Sequence, residues 1–88
     1  MTVALDAAYE LDPRVALRPE PFGAMAYHFG NRRLSFLRSM DIVAVLENLS
    51  RHPSVADALR AAEVEESRWP IFTAALDRLA ASEMIRVR

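Results

Sequence analysis

Two histidines, a run of glutamates, a set of arginines beside an aromatic stretch and a single tryptophan are the side chains of this 88-residue sequence that could do chemistry. His28 alternates with Ala24 and Ala26 along a strand-like run, which suits an exposed or capping imidazole better than a catalyst. His52 precedes Pro53 in a loop, with no nucleophile or carboxylate at a useful spacing. Glu63, Glu65 and Glu66 stand just before a helix, where the macrodipole favours them; a metal site would need further ligands. The absence of cysteine excludes a disulfide framework, a thiolate zinc site, an iron-sulfur cluster and a cysteine nucleophile. There is no Gly-rich phosphate loop, paired catalytic carboxylate motif or Ser-centred elbow. The expectation is a protein with no catalytic residue, no metal and no cofactor of its own.

Composition limits the remaining functions. At 9.9 kDa, with 52% hydrophobic residues and a mean hydropathy of +0.04, the chain has the make-up of one small globule. A core of that size removes only roughly 60–65% of the surface of the unfolded chain, so little is left over for a deep active site. Eleven basic residues, all arginine, face twelve acidic ones, for a net charge of −1. That balance speaks against nucleic acid, whose binding rests first on phosphate neutralisation. The opening MTVALDAAYELDP lacks a cationic flank, and no window approaches 18 apolar residues, so neither a signal peptide nor a membrane span is expected. Cytoplasmic location follows as an expectation.

The elements can be read from periodicity and punctuation. A weak helical turn over Val3 to Leu11 is stopped by Pro13, which makes residues 1–13 a loose N-terminal arm and 14–88 the domain. Arg14 to Arg18 reads as a short first strand closed by Pro19-Glu20-Pro21. Two alternating runs then flank Gly30-Asn31, the pattern of a hairpin closed by residues that tolerate positive φ. Its register pairs Phe29 with Arg32, Tyr27 with Leu34 and Met25 with Phe36. Met25, Tyr27, Phe29, Leu34 and Phe36 then form the apolar face expected to meet the core, opposite Ala24, Ala26, His28, Arg33 and Ser35. Three helices follow. Ser39 or Asp41 caps the first, with Met40, Val43, Ala44, Leu46 and Leu49 as its stripe; Ser54 caps the second; Ser67 caps the third, with Pro70 in its first turn. Phe72, Ala75, Leu76 and Leu79 form the buried stripe of that third helix, and the tail Met84-Ile85-Arg86-Val87 returns to the sheet or covers the base of the core. Three antiparallel strands followed by three helices describe a winged-helix-like α+β domain.

Within that frame, the stretch from Arg18 through Pro19-Glu20-Pro21-Phe22-Gly23-Ala24-Met25-Ala26-Tyr27-His28-Phe29-Gly30-Asn31-Arg32-Arg33-Leu34-Ser35-Phe36-Leu37-Arg38 to Ser39 resembles the signature of the mycofactocin biosynthesis peptide chaperones. That family is similar to the small peptide chaperone of pyrroloquinoline quinone biosynthesis. The resemblance extends over roughly residues 14 to 88 and is most specific between Arg18 and Ser39. It implies a non-catalytic domain that binds the leader of a ribosomally made precursor peptide and presents it to a radical S-adenosylmethionine maturase. In such domains the leader adds to the third strand and fills the groove beside the third helix. Carried onto this sequence, the peptide-binding residues are Arg33, Leu34, Ser35, Phe36 and Leu37 on the strand, and Trp69, Phe72, Thr73 and Leu76 on the helix.

The physical chemistry of the residues is compatible with that role. The third strand of a meander lies at an edge, with neither Pro nor Gly between Arg33 and Leu37, so its backbone can accept an extended peptide or a second copy in a homodimer. Arg32, Arg33 and Arg38 either steer an acidic peptide or blunt the edge. Tyr27, Phe29, Phe36 and Phe72 are most simply core, whereas Trp69 is as well placed to wall a groove as to be buried. The alternative is a winged-helix DNA-binding regulator, which the charge balance and Asp77 and Glu83 near the third helix disfavour.

Overall fold

The run from Ala24 to Leu37 forms the expected hairpin, but with its two faces exchanged. In the computed structural model, which describes residues 3–88, the strands are β1 (Tyr9–Leu11), β2 (Val15–Glu20), β3 (Gly23–His28), β4 (Leu34–Leu37) and β5 (Ile85–Val87). The helices are α1 (Met40–Leu49), α2 (Val55–Ala61) and α3 (Trp69–Ala81), the last preceded by a 3₁₀ turn at Glu66–Arg68. The β2-β3-β4 meander is antiparallel throughout, with Tyr27 opposite Leu34 and Met25 opposite Phe36 as the alternation predicts. Ala24, Ala26 and His28, at 0–1% exposure, face the helices, while Phe29 (66%), Leu34 (47%) and Phe36 (53%) face outward. The physical reason is volume. Leu46, Leu49, Leu59, Leu76 and Met84 already fill the space beneath the sheet, so on the central strand β3 only small side chains and one hydrogen-bonded imidazole fit on the inner face, with Leu37 of β4 and Val15 and Leu17 of β2 at its sides. Phe36 stacks instead near Phe22, with ring centroids 6.1 Å apart, and Tyr27 meets Phe29 edge-on at 4.9 Å.

The hairpin loop is longer than the two residues expected. His28 N–H donates to the Arg33 carbonyl at 2.9 Å and Arg32 N–H to the His28 carbonyl at 2.8 Å, so Phe29 to Arg32 all lie in the loop, and Phe29 N–H pairs with the Arg14 carbonyl at 2.9 Å, not with Arg32. Positive φ falls on Arg32, at 62°, and not on Gly30 or Asn31. Gly30 is required for another reason, since a Cβ there would lie 2.7 Å from His28 Cε1. Asn31 locks the turn to the end of α3, donating to the Ser82 carbonyl at 3.2 Å and accepting from Arg33 N–H at 2.9 Å.

The N-terminal segment is structured over its described part. Residues 3–13, expected as a loose arm, contain β1, which pairs antiparallel with β5 in a separate two-stranded sheet. Val3 and Tyr9 are buried, and the Leu5 and Ala7 carbonyls accept the N–H groups of Ala56 and Val55 at the start of α2. Met1 and Thr2, also assigned to that arm, lie outside the described residues. The tail does return to a sheet, but to this second one.

The helices follow their caps. The Ser39 hydroxyl accepts from Ile42 N–H at 3.2 Å and the Ser54 hydroxyl from Asp57 N–H at 3.1 Å. Ser67 instead lies inside the 3₁₀ turn, and α3 starts at Trp69 with Pro70 in its first turn and no side-chain cap. Met40, expected in the buried stripe of α1, is exposed, because it is the first residue of the helix and points past the edge of the core. Both α2 and α3 end in the same six-residue hydrogen-bond pattern. Val64 N–H reaches back to Leu59 and Glu63 N–H to Arg60; Met84 N–H reaches Leu79 and Glu83 N–H reaches Ala80. Glu63 and Glu83 occupy the left-handed position, at φ 60° and 63°, where glycine is commoner. No helix among the described residues is long and apolar enough to cross a membrane.

Candidate functional site

β4 is an edge strand, and the direction of its backbone groups follows from the ladder. Because His28 and Arg33 form a hydrogen-bonded pair, alternation makes Ala26 with Ser35 and Ala24 with Leu37 the next such pairs. The N–H and C=O groups of Leu34 and Phe36 therefore point away from β3, toward the open edge. Gly23 lets the sheet close beneath this strand, since a Cβ there would stand 2.1 Å from the Leu37 carbonyl oxygen.

Beside that edge runs an open groove of about 670 Å³ between β4 and α3. Ser35, Phe36 and Leu37 form one wall, and Ile71, Phe72, Ala75 and Leu79 form the other. Ser39 and Ile42 close one end. Arg38, Arg68 and Arg78 also line it, and no carboxylate does. Arg68 is held at 3.2 Å from Asp41, with its guanidinium carbon 5.1 Å from the centre of the Phe72 ring. A surface with unpaired backbone groups on one side and an apolar, cation-rimmed trough on the other can take an extended peptide, with main-chain pairing for affinity and side-chain pockets for selectivity.

The residues proposed from sequence divide cleanly. Ser35, Phe36, Leu37 and Phe72 line the groove, and Leu34 lies on the same edge with its side chain on the outer face. Arg33 sits at the hairpin end, donating to the Ala81 carbonyl at 3.5 Å. Thr73 is turned onto its own helix, its hydroxyl donating to the Pro70 carbonyl at 3.1 Å. Trp69 and Leu76 are buried away from the groove, and the Trp69 indole N–H donates to the Val64 carbonyl at 2.9 Å with Arg60 over the ring at 5.3 Å. Arg68, Ile71 and Arg78 belong to the groove without a place in the sequence-derived site, and so do Ala75 and Leu79, which the periodicity assigns to the buried stripe of the third helix. Their spacing, together with Phe72, steps by three and four along one face of α3 and was a readable signal. It was masked because Leu76 and Trp69 form an equally apolar stripe on the adjoining face.

A second polar constellation lies under the hairpin. Asp12 is buried and accepts from Arg14 N–H at 2.8 Å and from the Arg14 guanidinium at 3.1 Å. Those bonds, the guanidinium first and the backbone amide next, hold the Asp12 carboxyl well below the usual carboxylate range against the opposing effect of burial. His28 Nδ1 accepts two backbone N–H groups, from Gly30 at 2.9 Å and Asn31 at 3.0 Å. That fixes the proton of the neutral ring on Nε2, which lies 3.7 Å from Asp12 Oδ2. The cluster shapes the loop, and Asp12 and Arg14 also border a smaller open cleft of about 340 Å³ shared with Glu83 and Arg86. Among the described residues no group of three or more His, Cys, Asp or Glu is placed to hold a metal ion.

Comparison with known proteins places this geometry in a family. The sequence profile of the Peptide chaperone MftB family matches residues 8–86. The chain belongs to that family. A peptide chaperone MftB from Mycobacterium ulcerans is 49% identical over 80 residues, covering 91% of this chain and 73% of the relative. Those from Mycobacterium tuberculosis and Mycolicibacterium smegmatis are 45% and 44% identical over the same share of this chain, covering 73% and 78% of the relatives. No solved structure matches. The family match begins at residue 8 and so takes in β1, the strand that pairs with the C-terminal β5.

Proposed function

We propose that this chain is a peptide chaperone of mycofactocin maturation, which binds the leader of the ribosomally made precursor as an added strand on β4 and presents it to a radical S-adenosylmethionine maturase. The observation that carries this reading is the unpaired edge of Leu34 and Phe36 running along the groove between β4 and α3. The leader's backbone pairs with those two residues, and alternate side chains turn into the groove against Phe72, Ala75 and Leu79. Ordering a disordered leader costs roughly 2–5 kcal/mol, which main-chain bonds and apolar burial together must exceed. The chaperone supplies no reacting group, and its partner enzyme carries the chemistry. It works in the cytoplasm, where the precursor is made, and a homodimer joined through β4 would compete with the leader for the same edge.

Titration of the labelled leader and of mixed-sequence duplex DNA by fluorescence anisotropy, with amide hydrogen exchange on the bound protein, tests this. Saturable leader binding with protection at Leu34 and Phe36 is expected. Duplex binding without leader binding would replace the reading with that of a DNA-binding regulator.

A further inference from the structure

The cations of the groove sit at its two ends. Arg33 lies against the C-terminal end of α3 through the Ala81 carbonyl, and Arg68, at the N-terminal end of α3, is tied to Asp41 just beyond β4. β4 and α3 therefore run in opposite directions along the groove. Arg38, which follows β4, shares one end with Arg68, and Arg78, in the last turn of α3, stands at the other. Arg78 is ten positions beyond Arg68, so the two ends are about 15 Å apart along the helix. An extended chain covers that distance in four to five residues. Between the ends the walls are apolar, and Ile71 is 68% exposed. Arg38 and Arg78 make no ion pair among the described residues; Asp41 holds Arg68, and Asp12, Glu20, Asp57 and Glu10 each hold an arginine outside the groove. In a chain of net charge −1, an apolar trough with three arginines and no carboxylate on its walls is a local reversal of sign.

We infer that the groove selects an extended peptide carrying two acidic side chains four residues apart, and so on the same face of the added strand, with apolar residues between them, one carboxylate meeting Arg38 and Arg68 and the other meeting Arg78. This rests on the groove being the peptide site. Arg38 and Arg78 are free to turn their guanidinium groups toward an incoming carboxylate, while Arg68 must share its own with Asp41. The ends set the register of the added strand, which main-chain pairing alone leaves free to slip by two residues.

Two fluorescein-labelled peptides test it on the full chain, one with the core Glu-Leu-Val-Ile-Glu and one with both glutamates replaced by glutamine. The acidic peptide is expected to bind at least about tenfold more tightly, to lose that advantage between low and high salt, and to lose it in Arg38→Gln/Arg78→Gln. Arg51→Gln, on an exposed loop away from the groove, should bind like the parent. Equal binding of the two peptides, or undiminished binding by the double variant, overturns the charge assignment and leaves the groove as the peptide site. If neither peptide binds while the leader does, the spacing is wrong; if the leader fails as well, the peptide-site reading itself falls.

Discussion

His28 and Asp12 are buried side by side, with Nε2 of the ring 3.7 Å from Oδ2 of the carboxylate, and together they join the hairpin loop to the chain entering β2. The imidazole accepts the loop amides on one side, and the carboxylate accepts the Arg14 amide and guanidinium on the other. Replacing Asp12 by Asn should lower stability by about 1–3 kcal/mol, because the charge-assisted bonds to Arg14 are lost from a buried acceptor. The carboxyl is more acidic folded than unfolded. Its stabilising contribution is therefore complete above the unfolded value of about 4 and is lost as pH falls below it. The parent's midpoint should drop more steeply on acidification from pH 5 than that of Asp12→Asn, as read by thermal melts across that range.

Gly30→Val should destabilise the hairpin by about 1–3 kcal/mol, since the added Cβ meets the His28 ring at 2.7 Å and Arg14 Nη1 at 2.9 Å. Its denaturation midpoint, compared with that of Arg32→Gly, separates crowding from backbone strain. The Arg32 change relieves a positive φ and should leave stability equal or raised.

Proline at two neighbouring positions of β4 should have opposite effects. In Leu34→Pro the lost N–H points to the open edge, so the melt should stay within about 1 kcal/mol of the parent while leader affinity falls about tenfold. In Ser35→Pro the lost N–H serves the ladder to Ala26, so the fold itself should weaken by about 1–3 kcal/mol. Ser35→Ala should bind and melt nearly as the parent does. A folded Leu34→Pro protein that binds the leader normally would rule out strand addition at β4.

Glu63→Gly should stabilise the protein by about 0.5–1 kcal/mol, because a residue with a Cβ is held at φ 60° at the end of α2. Urea titration reads the gain, and an unchanged midpoint would mean that the cost in unfolded-state entropy cancels it.

The sequence by itself determined the local features. Alternation on either side of Gly30-Asn31 set the register of β3 with β4, Ser39 and Ser54 set the starts of α1 and α2, and Pro70 set the first turn of α3. These depend on interactions within a few residues, which spacing and residue type report directly. Tertiary structure decided which face of the hairpin is inside, because alternation gives two faces and only the volume left by Leu46, Leu76 and Met84 selects the one with Ala24, Ala26 and His28. It also paired β1 with β5 across nearly the whole chain, a contact without a local signature. The groove was half legible for the same reason. Ser35, Phe36, Leu37 and Phe72 came with the strand and helix that carry them, whereas the choice of Ile71, Arg68 and Arg78 over Trp69 and Leu76 required the rotation of α3 against the core, which packing alone sets.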